Sequence, residues 1–157
     1  NGQEVGSEKY DYKLRFFEFL NKHVQTLLKM EEAFVLGGDY NIAPTSADLS
    51  HLFKYSGERI LVSSKERQAY FKLINLGLVD AIRHCHPEHE KSGKELYSWW
   101  DYRAGSWEQN KGMRIDHLLL SPQAADILDD CGVNTDPRSW TRASDHAPVW
   151  CTLKIEN

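Results

Sequence analysis

The chain has 157 residues and a formal net charge of −4, with 41% hydrophobic and 27% charged residues. That length fits one domain with a sizeable core, and the composition excludes disorder over most of it. No run of 18 apolar residues is present, which excludes a membrane-spanning helix. The mildly acidic balance gives no sign of a polyanion partner, so any contact with nucleic acid has to come from a local basic face.

The chain opens Asn1-Gly2-Gln3-Glu4, polar and without methionine, and reads as the interior of a longer protein with no secretory leader at its start. Cys85, Cys131 and Cys151 are scattered and odd in number, with no CxxC pair. They do not suggest a disulfide framework, and a reducing, cytoplasmic setting is the expectation.

Residues 8–30 predict a helix. Tyr10, Leu14, Phe17, Val24 and Leu28 fall near helical spacing, Phe16, Leu20 and Leu27 widen the face, and Ser7 stands where an N-cap belongs. Residues 33–38 read as a short buried strand, and 42–62 as mostly irregular. A second helix is predicted over 64–75, with Ser63 and Glu66 as a capping box and Gly77 at its C-terminal end. Phe71, Ile74 and Leu78 supply its apolar stripe. Residues 86–95 are polar and read as a loop, and 97–102 are aromatic and β-prone. Residues 114–120 read as a strand. Ser121 and Pro122 then open a short helix that Gly132 is expected to close. The alternation of Val149, Cys151, Leu153 and Ile155 against Trp150, Thr152 and Lys154 predicts a half-buried final strand. Helices interleaved with strands, two of them near the end, give an α/β layered domain with mixed or antiparallel sheet.

Three polar clusters sit at strand ends. Gly37-Gly38-Asp39-Tyr40-Asn41 delivers Asp39 and Asn41 two residues apart, on one side of an extended chain. Asp116 lies inside an apolar strand, where an acid is costly unless it is paired with a cation such as Arg114 or has a function. Ser144-Asp145-His146 precedes the last strand. Each alone has a structural reading: a turn for the first, an ion pair, the favoured reading, for Asp116, and a cap or turn for the third. Together, three carboxylates, an amide and an imidazole are the parts for metal-assisted phosphoester hydrolysis, and hard oxygen donors suit magnesium or manganese.

Gly38-Asp39-Tyr40-Asn41, Arg114-Ile115-Asp116 and Ser144-Asp145-His146-Ala147-Pro148-Val149, in that order, resemble the exonuclease–endonuclease–phosphatase superfamily. Gly77-Leu78-Val79-Asp80 with Arg83-His84, and Tyr97-Ser98-Trp99-Trp100-Asp101-Tyr102-Arg103 followed by Asn110-Lys111-Gly112-Met113, narrow the resemblance to its exonuclease III, or abasic-site endonuclease, branch. The resemblance covers essentially the whole chain. It implies the C-terminal part of a sandwich with mixed sheets, two-layered here and four-layered α/β/β/α in the full family.

The resemblance also implies roles. Asp39 would orient or activate the attacking water, Asn41 would hold the scissile phosphate, and His146 would contact it. Asp116 would hold His146 in the right tautomer, and Asp145 would bind or position the metal. The metal set implied is Asp39, Asn41, Asp145 and His146, for Mg2+ or Mn2+. The DNA contacts implied are Asn1, Trp99, Arg103, Met113 and Arg114. Trp99 would wall the pocket for a base-less sugar, and Met113 would wedge beside an extruded nucleotide. Arg83, Arg103, Lys111, Arg114, Arg138 and Arg142 are the cations available for one basic face.

The family's metal-binding glutamate, in a Gln-Glu motif nearer its N-terminus, has no counterpart in this sequence. The expectation is therefore a DNA-repair nuclease whose 157-residue part is by itself weakly active or inactive. Its substrate would be duplex DNA with abasic sites or blocked 3′ ends, met as a monomer and away from membranes. The competing readings are a phosphatase or lipid phosphodiesterase on the same scaffold, and a non-catalytic DNA-binding fragment.

Overall fold

The computed structural model describes residues 3–53, 57–87 and 96–154. Helix α1, Glu8–Leu28, starts where Ser7 accepts the Tyr10 N–H, and it buries Tyr10, Lys13, Phe17 and Val24. Helix α2, Ser64–Ile74, carries the expected capping box of Ser63 and Glu66. Two shorter helices follow, α3 over Ala81–Cys85 and α4 over Pro122–Asp126. The strands are β1 (Val35–Asp39), β2 (Val79–Asp80), β3 (Trp99–Trp100), β4 (Gly112–Met113), β5 (Asp116–Leu120), β6 (Leu128–Val133) and β7 (Val149–Leu153).

The strands form three sheets, ordered β1-β5-β2, β3-β4 and β6-β7. Every strand pairing among the described residues is antiparallel, so the mixed sheet expected from the family does not occur there. The period-two alternation of β5 then sorts the molecule into layers. Leu119 packs with Phe17, Val24, Tyr70 and Leu73 on the side of α1 and α2. Leu118 and Leu120 join Ile82, Ala124 and Cys131 on the side of β6 and β7. Asp116 has the parity of Leu118 and Leu120 and therefore opens toward the β7 side.

Three local expectations are corrected. The α2 stripe adds Tyr70 and Leu73 to the expected Ile74 and Leu78, while Phe71 is 40% exposed. Tyr70 takes the inner place because its hydroxyl has a buried acceptor in Asp80, at 2.7 Å. Gly132 does not close a helix: α4 ends at Asp126, and Gly132 lies within β6 opposite Trp150. A Cβ on Gly132 would come within 3.0 Å of the Trp150 ring, so this glycine makes room for an indole. Of the aromatic stretch 97–102, only Trp99–Trp100 is strand. Most of the polar loop, residues 88–95, lies outside the described residues.

Candidate active site

Strand register builds the site. Asp39 ends β1 and stands directly opposite Asp116, which begins β5, so both carboxylates leave the sheet on the same face. This close pairing relies on Gly37, where a Cβ would lie 2.9 Å from a Leu118 methyl. The third component arrives by a different route. Residues 145–147 lie along the free edge of β3: the Trp100 N–H donates to Asp145 O at 2.9 Å, and the Ala147 N–H donates to Ser98 O at 2.8 Å. Trp99 and His146 form the isolated bridge between these segments. The aromatic stretch is thus the ruler that sets Asp145 and His146 against the two strand-end acids.

His146 Nδ1 lies 2.8 Å from Asp116 Oδ2, and its Nε2 lies 4.0 Å from Asp39 Oδ2. With Asp116 ionised, Nδ1–H donates to it, and Nε2 is left facing Asp39 and the cleft. The hydrogen bond to Asp116 is the main cause that raises the His146 pKa, with burial opposing it. Asp39 is also raised, by burial first; hydrogen bonds from Asn41 oppose the rise and the Asp116 charge adds to it. The Asn41 backbone N–H and side-chain amide donate to the two Asp39 oxygens at 2.8 and 2.6 Å. Asn41 has φ of +51°, in the left-handed region that asparagine tolerates. Asp145 Oδ2 accepts the Trp99 indole N–H at 2.9 Å. A cleft of about 420 Å³ opens over the group, with walls that include Asp39, Asp116, Ser144, His146 and Pro148.

The scaffold around the site was not legible from motifs. Ser98 is fully buried, and its Oγ accepts the N–H groups of Ile115 and Asp116 at 3.1 and 3.0 Å, fixing where Asp116 leaves the strand. Lys13 Nζ donates to Asn41 O at 2.5 Å and pairs with the buried Glu66. His117 Nε2 lies 2.8 Å from Ile42 O. Two consecutive carbonyls of the loop after β1 are therefore held from below. A lysine on the same helical stripe as Tyr10 and Phe17 was the signal available for Lys13.

Arg114 requires a correction. It is 2% exposed, and its guanidinium bonds Asp48 at 2.7 Å and Asp80 at 2.8 Å. A cation locked between two interior carboxylates cannot reach a DNA backbone, and Asp116 pairs with His146 instead of with Arg114. Met113 is also 2% exposed and packs with Ala43 and Ile115, so it is an interior residue and not a wedge in a groove. Trp99 is half-buried and packs against that same cluster, with its indole N–H on Asp145. Arg103 is on the surface, bonded to Asp101 at 2.8 Å. Of the other cations considered for a basic face, Arg138 is buried and Arg83 pairs with Asp48, which leaves Arg103, Lys111 and Arg142 outside. Asn1 lies outside the described residues.

Asp39, Asn41 and Asp145 offer oxygen donors of the kind magnesium and manganese prefer. Among the described residues, no three acidic, imidazole or thiol groups converge in a way that would hold an ion. The described residues thus offer oxygen donors without forming a closed cation site among themselves.

Residues 3–146 match the endonuclease/exonuclease/phosphatase family, and the chain belongs to that family. Its nucleases are metal-dependent. The chain is 32% identical to an exodeoxyribonuclease of Bacillus subtilis, over 96% of this chain and 56% of the relative. It is 31% identical to exodeoxyribonuclease III of Haemophilus influenzae, over 93% of this chain and 55% of the relative. Among solved structures, a 3′ phosphatase from Neisseria bound to a product DNA hairpin superposes with a TM-score of 0.88 at 38% identity. That match covers 99% of this chain and 58% of the other. An AP endonuclease from Archaeoglobus fulgidus superposes at 0.85 with 31% identity, over 98% and 58%. The chain thus spans a little over half the length of these relatives.

Proposed function

We propose that the protein carrying this chain is a DNA-repair nuclease. It hydrolyses phosphodiesters 5′ to abasic sites and removes nucleotides or blocking groups from 3′ ends. The observation that carries the reading is the Asp39–His146–Asp116 line, closed by Asn41, on one face of paired strands. Asp116 holds the His146 ring so that Nε2 points at the cleft, where an imidazolium donates a hydrogen bond to a phosphate oxygen and balances charge developing on phosphorus. Asp39, kept in place by two bonds from Asn41, orients the attacking water and takes its proton. On binding, the Asn41 amide turns one donor to the phosphate. Asp145, tied down by Trp99, is the carboxylate left to face a cation of the magnesium type. The described residues supply only part of that cation's ligands, so the catalytic unit requires more of the protein than these residues.

Duplex DNA is the proposed substrate, met by a monomer through Arg103, Lys111 and Arg142. Relatives named as exodeoxyribonuclease, AP endonuclease and 3′ phosphatase support this class over a lipid phosphodiesterase. The test is incision of a duplex carrying one abasic site, with magnesium, using the full-length protein beside its Asp39→Asn variant. A cut 5′ to the lesion, abolished by chelation and lost in the variant, supports the reading. Release of phosphate from 3′-phosphorylated ends without such a cut would restrict the activity to end cleaning. Cleavage of a small or lipid phosphoester with neither DNA activity would overturn it.

A further inference from the structure

Cys85, Cys131 and Cys151, scattered along the sequence, come together in one apolar cluster with Ile82, Leu120 and Ala124. Cys131 and Cys151 stand directly opposite each other in the β6–β7 ladder. The Asn134 N–H donates to Pro148 O at 2.9 Å in the same register. Hydrogen-bonded and non-hydrogen-bonded pairs alternate from there, which makes Cys131–Cys151 a non-hydrogen-bonded pair. In such pairs the Cα atoms lie about 4.5 Å apart with side chains on one face. That separation falls within the span of about 4.4–6.8 Å that a disulfide bridges. Cys85, at the end of α3, approaches the same thiol. Burial pushes the Cys131 thiol up, and hydrogen bonding with the Cys85 thiol adds to the rise. Cys131 is buried and donates to Ala81 O at 3.0 Å, while Cys85 and Cys151 are half-buried. None of the three lines the phosphate cleft.

We propose that these three cysteines form a thiol-oxidation site in which hydrogen peroxide joins Cys131 to one of its two half-buried neighbours as an intramolecular disulfide. The neighbour's thiolate attacks one peroxide oxygen. An S–O bond forms, the O–O bond breaks, and the departing hydroxide leaves as water after taking a proton. The Cys131 sulfur then attacks the sulfenic sulfur, the S–S bond forms, and the S–O bond breaks. The second hydroxide leaves as water with the proton Cys131 gave up. Two thiols lose two electrons in all, and one peroxide becomes two waters. Burial makes the Cys131 and Cys151 thiolates scarce, so an oxidation that starts at Cys151 is slow. Proximity makes the second fast, so the sulfenic acid does not accumulate. This site does not depend on the nuclease reading.

The test treats the full-length protein with hydrogen peroxide, blocks free thiols by alkylation, and maps peptides without reduction. The expected result is a linked peptide joining Cys131 to Cys151 or Cys85, with the loss of two hydrogens and a rate independent of protein concentration. In Cys131→Ala the linked peptide disappears, and a dimedone adduct collects on Cys85 or Cys151. Three thiols that oxidise independently would overturn the proposal. So would a bridge that excludes Cys131, a link between chains, or a bridge formed only after unfolding in urea.

Discussion

Asp116 makes one strong contact and through it sets the state of another residue. The Asp116→Asn substitution keeps the shape but removes the ionised acceptor for His146 Nδ1–H. Since that bond is the first cause of the raised His146 pKa, the pKa should fall in the variant, as read by NMR titration of the ring protons. In the full-length protein, kcat of the proposed nuclease reaction should fall by about 10²–10⁴ with a smaller change in KM, the scale seen when a histidine loses its orienting carboxylate. An unchanged titration would contradict the hydrogen bond itself, whatever the activity. Lys13→Met is a second test at this scale. It leaves the Glu66 carboxylate buried and Asn41 O without its lysine, and breaking a buried pair in this way costs about 3–5 kcal/mol. Urea unfolding measures that loss; a variant as stable as the parent would show that the pair holds nothing.

Elements governed by their own sequence were legible without the structure. The capping box of Ser63 and Glu66 and the Ser7 cap fixed the starts of α2 and α1, because capping is a contact between residues three apart. The strand at β6 was missed, since Gly132 resembled a helix stop; what makes it strand is pairing with β7, a partner distant in sequence. The same contrast applies to the site. Asp39, Asn41, Asp145 and His146 announced themselves as clustered polar groups, whereas the Ser98 bonds to β5 and the pairing of Lys13 with Glu66 join residues distant in sequence. Arg114 was misread because a cation in a motif next to an apolar strand gives no sign of whether it faces a phosphate or two interior acids. The β3–β4 pair offers a prediction of its own. A Cβ at Gly112 would lie 2.6 Å from Trp100 Nε1 and from Tyr97 Cδ2, both ring atoms with little freedom to move. Gly112→Ala should therefore destabilise by about 1–3 kcal/mol, the range for overpacking. Because β3 also carries Asp145 and His146, the His146 resonances should shift with it. A melting curve identical to the parent's would show that the aromatic pair yields at no cost.

Among the described residues, the largest interior charge network centres on Arg114. Arg114 joins Asp48, Asp80 and His117, Arg83 pairs with Asp48, and Tyr70 donates to Asp80. Arg114 Nη1–H donates to His117 Nδ1 at 3.0 Å, so Nδ1 carries its lone pair, and Nε2–H donates to Ile42 O. The ring is neutral. Burial first, and the Arg114 charge second, lower its pKa to about 4. Its contribution to stability is therefore complete above the ordinary value of 6.5 and is lost as pH falls through about 4, because the unfolded chain takes up a proton that the native chain refuses. The loss is on the order of 3 kcal/mol. His146, whose pKa is raised, runs the other way: its stabilising share is present below 6.5 and fades as pH rises through its folded value. Urea midpoints measured from pH 7 down to pH 4 should fall steadily; a flat profile would contradict a neutral His117.

The same network constrains how the sequence is free to change. The two acids at 48 and 80 are balanced inside the protein by the cations at 83 and 114, so each is tolerable only while its counterpart stands. Single replacements at 48, 80 or 114 strand a charge, while a joint exchange for apolar residues of similar volume removes the cost and the need together. Across descendants and cousins of this chain, these four positions should therefore change as a set. A lineage that keeps Arg114 but has lost both acids would show that the interior accepts an uncompensated cation, against everything the packing around it implies.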